Sequence, residues 1–123
     1  MIRRRTALSA LMLPALTGRA QAQAFPDQPV RLIVPFAAGG PADLIARTIG
    51  RVMGERLGRP VVIEARAGAA GLIGVEAAAK SRPDGHTIVL ASSGALAILP
   101  NLRQDMPFDP LKDLAPITQV LAV

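Results

Sequence analysis

Residues 30–43 are the stretch that most constrains how this chain can fold. Val30 to Val34 is a β-branched, largely apolar run, which predicts a buried strand. Pro35 ends that strand, because proline donates no hydrogen bond to a neighbouring strand. Small residues follow, and Pro41 stands in the first turn of the next helix, where a helix tolerates proline best. The stretch therefore predicts a strand, a glycine loop and the start of a helix in succession.

A loop of this kind suits an anion. The first N–H groups of a helix have no acceptor within the helix, and the helix dipole places partial positive charge there. No charged side chain lies between Phe36 and Ala42, so a bound anion would be held largely by main-chain N–H groups. Asp43 has two interpretations, which are contact with a polar group of a ligand and stabilisation of the first helical turn.

The helix that follows this loop is predicted from residue 42 to Leu57. Apolar residues recur along it at helical spacing and form a stripe that would cover a sheet. The stripe consists of Ile45, Ile49, Val52, Met53 and Leu57. Arg51 and Glu55 are spaced as an i,i+4 ion pair, and Gly58 is placed to end the helix in the left-handed conformation.

The rest of the chain repeats the strand–loop–helix pattern, which predicts an α/β fold with a parallel sheet built from βαβ units. The further elements expected are a strand at Val61–Ile63, a helix ending near Lys80, a strand at His86–Ala91, a short helix near Leu111 and a strand at Ile117–Val123. The loops at 36–42, 65–71 and 92–95 all follow strands. Because ligands bind at the carboxyl ends of parallel strands, these loops would line one mouth if their strands are neighbours.

Charge and composition argue against nucleic-acid binding. The formal net charge is +5, but Arg3, Arg4, Arg5 and Arg19 lie in the first 24 residues, which contain no acid. Removing those four from the 14 basic residues leaves ten against nine acids. The chain has no Trp or Tyr and only three Phe, so it also lacks aromatic platforms on which bases could stack.

The N-terminus has the three parts of an export signal. Arg3–Arg5 is a basic segment, Ala7–Thr17 is an apolar run, and Ala22–Ala24 is a small-x-small cleavage motif. The apolar run is shorter than the roughly 20 residues that span a bilayer. We therefore expect residues 1–24 to be a signal peptide cleaved after Ala24, residues 25–123 to form the mature part, and the protein to be periplasmic.

The side chains that carry most chemistry are scarce. There is no Cys and one His, so a nitrogen- and sulfur-based zinc site is excluded, and no metal and no cofactor are expected. His86 and Ser92 stand six residues apart on one predicted strand, which is about 20 Å, so they cannot form a catalytic pair within that unit. His86 is interpreted as a residue at the start of its strand. No catalysis is expected.

Three further features are open to two interpretations each. Gly68, Gly71 and Gly74 have GxxGxxG spacing, so they either form part of a nucleotide-binding turn or allow a tight turn and close helix packing. Ser92 and Ser93 either donate hydroxyls to a ligand or cap a helix. Arg66 either clamps a carboxylate or pairs with its neighbour Glu64.

Several blocks of the sequence resemble one family along nearly all of the mature part. They are Phe25-Pro-x-x-Pro-Val-Arg-Leu-Ile-Val-Pro-Phe36, Gly39-Gly-x-x-Asp43, Glu55-Arg-Leu-Gly-x-Pro-Val-Val62, Gly68-Ala-x-Gly71-x-Ile-Gly74, Pro83-Asp-Gly-x-Thr87 and Phe108-Asp-Pro-x-Lys-Asp-Leu-Ala-Pro116. Together they are similar to the receptors of tripartite tricarboxylate transporters, the Bug-type or TctC-like extracytoplasmic solute-binding proteins. Family members have roughly 300 residues, so the resemblance covers about their first third.

The resemblance implies a periplasmic-binding-protein fold of two lobes that closes on a small organic carboxylate and delivers it to membrane transporter subunits. The chain would then be a truncated first lobe, with the second lobe absent. A carboxylate would lie against two loops, held mainly by backbone amides and water. The ligand-binding residues carried over in this way are Phe36, Ala37, Ala38, Gly39, Gly40, Asp43, Ser92, Ser93, Gly94 and Ala95.

Two functions of other classes remain as alternatives. One is a Rossmann-like nucleotide-binding enzyme domain. A cytoplasmic location and stabilisation of the fold by nucleotide would favour it. The other is a sensory or interaction module that binds a partner protein without a ligand.

Overall fold

The computed structural model describes residues 24–122, so nearly all of the predicted export signal lies outside the described residues. The described part is an α/β unit. Its elements are β1 (Val30–Val34), α1 (Pro41–Leu57), β2 (Val61–Ala65), α2 (Leu72–Ala79), β3 (Thr87–Val89) and α3 (Leu99–Leu102). A 3₁₀ turn at Ala69–Gly71 precedes α2, and a π-helical turn at Gly94–Ile98 precedes α3. Between residues 24 and 122 no helix has the length and apolar character needed to cross a membrane.

β1 is the middle strand of a parallel sheet with the order β2-β1-β3. Leu32 lies opposite Ile63 of β2 and Ile88 of β3. The apolar residues of β1 are Val30, Leu32, Ile33 and Val34, and none is more than 4% exposed. The prediction of a buried strand is therefore confirmed, and the loop after β1 stands in the middle of the sheet's carboxyl edge.

Helices cover both faces of this sheet. Leu32 and Val34 pack with Ala46 of α1. A second cluster, joined by Val89 of β3, consists of Leu72, Val75, Ala95 and Phe108. Because successive side chains of a strand point to opposite faces, this division gives three layers, with the sheet between α1 and α2.

α1 agrees with the predicted helix in its bounds but not in its buried face. It starts at Pro41 and ends before Gly58, which has the left-handed φ of 66°. The fully buried positions are Asp43, Ala46 and Gly50, whereas Val52 of the predicted stripe is 39% exposed. The reason is close approach, since a Cβ on Gly50 would lie 2.9 Å from Cδ1 of Ile63. Small residues therefore occupy the centre of the contact.

The other two strands differ from prediction only at their ends. β2 continues two residues beyond Ile63, to Ala65. β3 is shorter than the predicted His86–Ala91, but its hydrogen bonds to β1 reach further. Arg31 N–H donates to the His86 carbonyl (2.7 Å), and Leu90 N–H donates to the Ile33 carbonyl (3.0 Å).

Two predictions for the last quarter of the chain are wrong. Residues 117–122 form no strand, because a strand needs a hydrogen-bonded neighbour and this segment pairs with neither outer edge of the sheet. No helix forms near Leu111, which is 93% exposed in a turn closed by N–H groups that donate to the Asp109 carbonyl. The short helix lies earlier, at Leu99–Leu102.

The segment before β1 crosses the amino ends of the strands. The Pro26 carbonyl accepts a hydrogen bond from Arg59 Nε (3.4 Å), next to β2. The Phe25 ring packs on the His86 ring, with centroids 4.9 Å apart. His86 Nε2 lies 3.0 Å from Asp27 Oδ1, and its Nδ1 lies 3.4 Å from Asp84 Oδ1. His86 thus stands at the start of β3, as predicted, and is enclosed by the lead-in segment.

Glu64 joins two partly exposed arginines, one on β1 and one just after β2. Its Oε2 accepts a hydrogen bond from Arg31 Nη2 (2.6 Å), and its Oε1 accepts one from Arg66 Nε. The bond from Arg31, and then that from Arg66, hold the pKa of Glu64 below its usual value of 4.5. Because this pKa is lowered by folding, the ion pairs stabilise the fold above that value and are lost as pH falls.

We expect Glu64→Gln to lower the free energy of unfolding by about 0.5 kcal/mol at neutral pH, since the carboxylate is partly exposed and screened by solvent. The deficit should shrink as pH falls below 4.5 and through the lowered pKa of Glu64, because the wild-type carboxyl then also becomes protonated. Urea unfolding at a series of pH values measures this. Glu55→Gln removes an exposed pair on α1 and serves as the control with a smaller effect. A deficit that is independent of pH would contradict the prediction.

Gly74 of α2 lies against the end of β1. A Cβ at this position would stand 2.7 Å from Pro35 Cβ, 2.9 Å from Pro35 Cα and 3.0 Å from the Arg66 carbonyl oxygen. Two of these atoms are backbone, so they cannot move aside as a flexible side chain would. Glycine at 74 therefore sets how closely α2 approaches the carboxyl edge of the sheet.

We expect Gly74→Ala to destabilise the fold by about 2 kcal/mol through overpacking. Gly94→Ala is the matched control, because its nearest atom would be Ser92 Oγ at an ordinary 3.6 Å. The control should change the free energy of unfolding by less than about 0.5 kcal/mol. Equal effects of the two substitutions in urea unfolding would show that close packing at Gly74 is unimportant.

Candidate functional site

The three predicted loops do meet at the carboxyl edge of the sheet. The strand order places the loop after β1 between the other two. A Cβ on Gly71, in the loop after β2, would lie 3.6 Å from Pro35 Cβ and 3.8 Å from Ala95 Cβ. Pro35 opens the loop after β1, and Ala95 follows β3. The three strands are therefore neighbours, as a mouth shared by the three loops requires.

The loop at Phe36–Gly40 is the central wall of this mouth. Phe36, Ala37, Ala38 and Gly39 are exposed, and Gly40 is half-buried. Gly39 has a left-handed φ of 81°, which favours glycine, and Gly40 N–H donates to the Ala37 carbonyl (3.4 Å). Gly40 caps α1 without a side-chain hydrogen bond. The first-turn N–H groups of α1 have no acceptor within the helix, and they lie next to this exposed loop.

Asp43 lies behind this loop, and its contacts favour the role of a first-turn acid. Its side chain is 3% exposed. Oδ2 accepts hydrogen bonds from Arg47 Nε (2.8 Å) and from Gly39 N–H (3.0 Å). These two bonds, the one from Arg47 first, hold the pKa of Asp43 below its usual value of 3.8. The partner Arg47 was not predicted, although its i,i+4 spacing from Asp43 was a signal for the pair.

The residues predicted in the segment after β3 differ in their burial and contacts. Ser92 caps the following turn, since its Oγ accepts a hydrogen bond from Ala95 N–H (3.3 Å) and its carbonyl accepts one from Leu96 N–H (3.2 Å). Ala95 is fully buried and packs in the core. Ser93 is exposed, and Gly94 is half-buried. Ser92 is also half-buried, so Ala95 is the one fully buried residue of the predicted set here.

The loop after β2 is held by internal contacts. Arg66 pairs with Glu64, as the second of its two interpretations stated, and its N–H donates to the Val34 carbonyl (2.8 Å). Gly71 and Gly74 allow close packing against Pro35, which favours the packing interpretation of the GxxGxxG motif. Ala69 and Ala70 both have left-handed φ values, 47° and 55°. Two such residues in succession are strained, because side chains disfavour this conformation.

The arrangement offers main-chain and hydroxyl groups. His86 is at the amino end of β3 and Ser92 is beyond its carboxyl end, so the strand separates them. Among residues 24–122 no three His, Cys, Asp or Glu residues are grouped to hold a metal ion. What the mouth can do chemically is donate hydrogen bonds to a small polar group.

The chain matches the model of one family, the tripartite tricarboxylate transporter family receptor, over residues 45–123. It is 45% identical to protein BugT of Bordetella pertussis over 100 residues, which are 80% of this chain and 31% of BugT.

Solved structures agree with this match. Periplasmic binding protein BugD aligns with a TM-score of 0.68 and 39% identity over 72% of this chain and 29% of BugD. MatC of Rhodopseudomonas palustris, solved with bound malate, aligns with a TM-score of 0.67 and 38% identity over 72% of this chain and 30% of MatC. An R. palustris protein solved with adipate has a TM-score of 0.65 and 34% identity over 71% of this chain and 29% of its own.

The chain spans about a third of the length of these relatives. The family match nevertheless covers more than half of the chain, and the solved structures share its α/β fold with a parallel sheet. The α/β periplasmic-binding-protein fold expected from the sequence is thereby confirmed. The chain belongs to the tripartite tricarboxylate transporter receptor family of periplasmic solute-binding proteins.

Proposed function

We propose that this chain supplies carboxylate-binding loops of an extracytoplasmic receptor, which captures a small organic carboxylate and delivers it to membrane transporter subunits. The observation that carries the proposal is the position of the Phe36–Gly40 loop. It lies at the middle of the carboxyl edge of the sheet, before the amino end of the 17-residue helix α1. Such a position directs backbone N–H groups toward a bound anion.

The charge around the mouth supports a ligand held by neutral donors. The two guanidinium groups nearest in sequence to the loops, Arg47 and Arg66, are paired with Asp43 and Glu64. Within the loops at 36–40 and 92–95 there is no charged side chain, and the polar groups are main-chain groups and the hydroxyls of Ser92 and Ser93. Hydrogen bonds to a charged acceptor are stronger than those between neutral groups, so a carboxylate gains most from this set.

The ligands of two relatives support the same class. MatC was solved with malate and a second R. palustris protein with adipate, and both ligands are dicarboxylates. For this chain the proposed ligand is a carboxylate whose one end lies against Phe36, Ala37, Ala38, Gly39, Gly40, Ser93 and Gly94, with Asp43, Ser92 and Ala95 holding these loops in place. The remainder of the ligand would contact parts of a longer receptor.

Export supports the transport role. Residues 1–24 contain the basic, apolar and small-residue segments of a signal peptide, and family members such as BugD are periplasmic. We propose that the mature part begins at Phe25 and acts in the periplasm.

The test of binding is a titration of the chain with malate and with adipate, followed by the NMR shifts of the backbone amides. Because part of a site binds one end of the ligand, we expect a dissociation constant of about 1 mM or weaker. The shifts should concentrate on the loops at 36–40 and 92–95. Adipamide, which has no charge, and NAD⁺ are the comparison ligands. Shifts with NAD⁺ but with neither dicarboxylate would favour the nucleotide-binding alternative instead.

Ser93 allows a matched pair of variants, because its side chain is exposed. Ser93→Asp places a negative charge beside the ligand and should weaken binding by about tenfold relative to Ser93→Asn, which has nearly the same shape. Equal affinities of the two variants would place the carboxylate elsewhere.

Cleavage is tested by expressing the full chain in a Gram-negative host and measuring the mass of the exported product. The expected product starts at Phe25. Replacing Ala22 and Ala24 by Leu removes the small side chains of the cleavage motif and should block processing. A product that starts elsewhere, or a retained N-terminus in the wild type, would contradict the proposed signal.

A further inference from the structure

Asp43 is the one buried charged side chain in the part of the chain that the structure describes. Burial of a charge is costly unless partners compensate for it. Asp43 has two partners on Oδ2, while its Oδ1 is buried and has no partner among residues 24–122. The burial of this carboxylate is therefore compensated by the two hydrogen bonds that Oδ2 accepts.

The first partner, Gly39 N–H, belongs to the central wall of the mouth. Gly39 lies four residues before Asp43 and reaches it because of its left-handed φ of 81°. The bond ties the loop to the first turn of α1. Because the Gly39 N–H already donates to Asp43, it is not a donor to a ligand.

The second partner, Arg47, lies one helical turn further along α1. Its Nε donates to the same Oδ2, and its side chain is 59% exposed, so the guanidinium joins the buried carboxylate to the surface. The pair also matters for charge. A carboxylate in the first turn of a helix occupies the end that would attract an anionic ligand, and Arg47 offsets that negative charge.

We infer that Asp43 is a positioning residue, whose carboxylate sets the Phe36–Gly40 loop through Gly39 N–H while Arg47 holds and neutralises that carboxylate, with neither side chain touching the ligand. This inference deepens the proposed function and rests on it for its effect on affinity. Its structural part, the coupling of Gly39 to Asp43 and Arg47, stands without any ligand.

The first measurement follows the Gly39 amide shift during acid titration of the ligand-free chain. Protonation of Asp43 weakens the bond to Gly39, so the shift should titrate at a pH below that of an ordinary Asp, in line with the lowered pKa of Asp43. Arg47→Gln should move this midpoint upward, because the main cause of the lowered pKa is removed. Arg51→Gln removes an exposed i,i+4 pair on the same helix and should leave the midpoint unchanged.

The second measurement is hydrogen exchange of the Gly39 amide. Asp43→Ala removes the acceptor and should speed exchange at Gly39 by about tenfold or more, while amides in the middle of α1 keep their protection. If Asp43→Ala does not fold, Arg47→Gln serves in its place, since that side chain is largely exposed. A Gly39 amide that responds neither to pH nor to Arg47→Gln would overturn the inference.

The third measurement is malate affinity, which both Asp43→Ala and Arg47→Gln should lower by about tenfold, with Arg51→Gln unchanged. If Gly39 responds as expected but wild-type chain binds neither malate nor adipate, the proposed function fails and the positioning role is retained. If the dicarboxylates bind and both variants bind equally well, the positioning role fails alone.

Discussion

The structure depends on the pairing of β1 on both of its edges. This strand is short, yet it donates and accepts hydrogen bonds on two sides, and its apolar side chains are buried on two faces. A strand in that situation is mostly apolar, with Arg31 as the one exposed residue of β1, and it contains no proline before its end. β1 ends before Pro35, and beyond this residue the chain no longer has to be apolar or free of proline. The exposed loop that follows is consequently held at the centre of the sheet edge by the most buried part of the molecule.

Close packing at glycines then brings the neighbouring loops to the same place. α2 approaches the Pro35 backbone at Gly74, and α1 approaches the Ile63 side chain of β2 at Gly50. A Cβ would clash at Gly74 and would displace the end of the Ile63 side chain at Gly50. The loops at the mouth, and with them their backbone amides, are therefore held in position by packed elements. Donors held in this way lose little freedom on binding, which suits a small ligand with few atoms to contact.

The charged side chains near the mouth serve the protein itself. Asp43 pairs with Arg47 across one helical turn, and Glu64 pairs with the partly exposed Arg31 and Arg66. At the opposite, amino ends of the strands, Phe25 and Asp27 close over His86. The amino ends of the strands therefore carry charged side chains, whereas the loops at 36–40 and 92–95 contain none.

Local sequence was sufficient where a residue acts on its own backbone. Proline and glycine impose their conformations without tertiary help, so β1, α1 and the left-handed Gly58 were predicted with their bounds. Apolar periodicity predicted that α1 covers a sheet, but not that Ala46 and Gly50 would be its centre, because that depends on how closely β2 approaches. The strand expected at Ile117–Val123 failed for a related reason. Its residues favour extended structure, but whether a segment becomes a strand is decided by a partner, and none pairs with residues 117–122 in the described part.

The sequence by itself therefore determined the α/β class, the family and the strand–glycine loop–helix unit, since these follow from local conformation and from the order of motifs along the chain. Only the tertiary structure decided which groups of the mouth are available. It assigned Ser92 to a cap, Ala95 to the core and Asp43 to Gly39 and Arg47. The sequence shows which hydrogen-bonding groups are present but not which of them are paired, because the pairing is determined by folding.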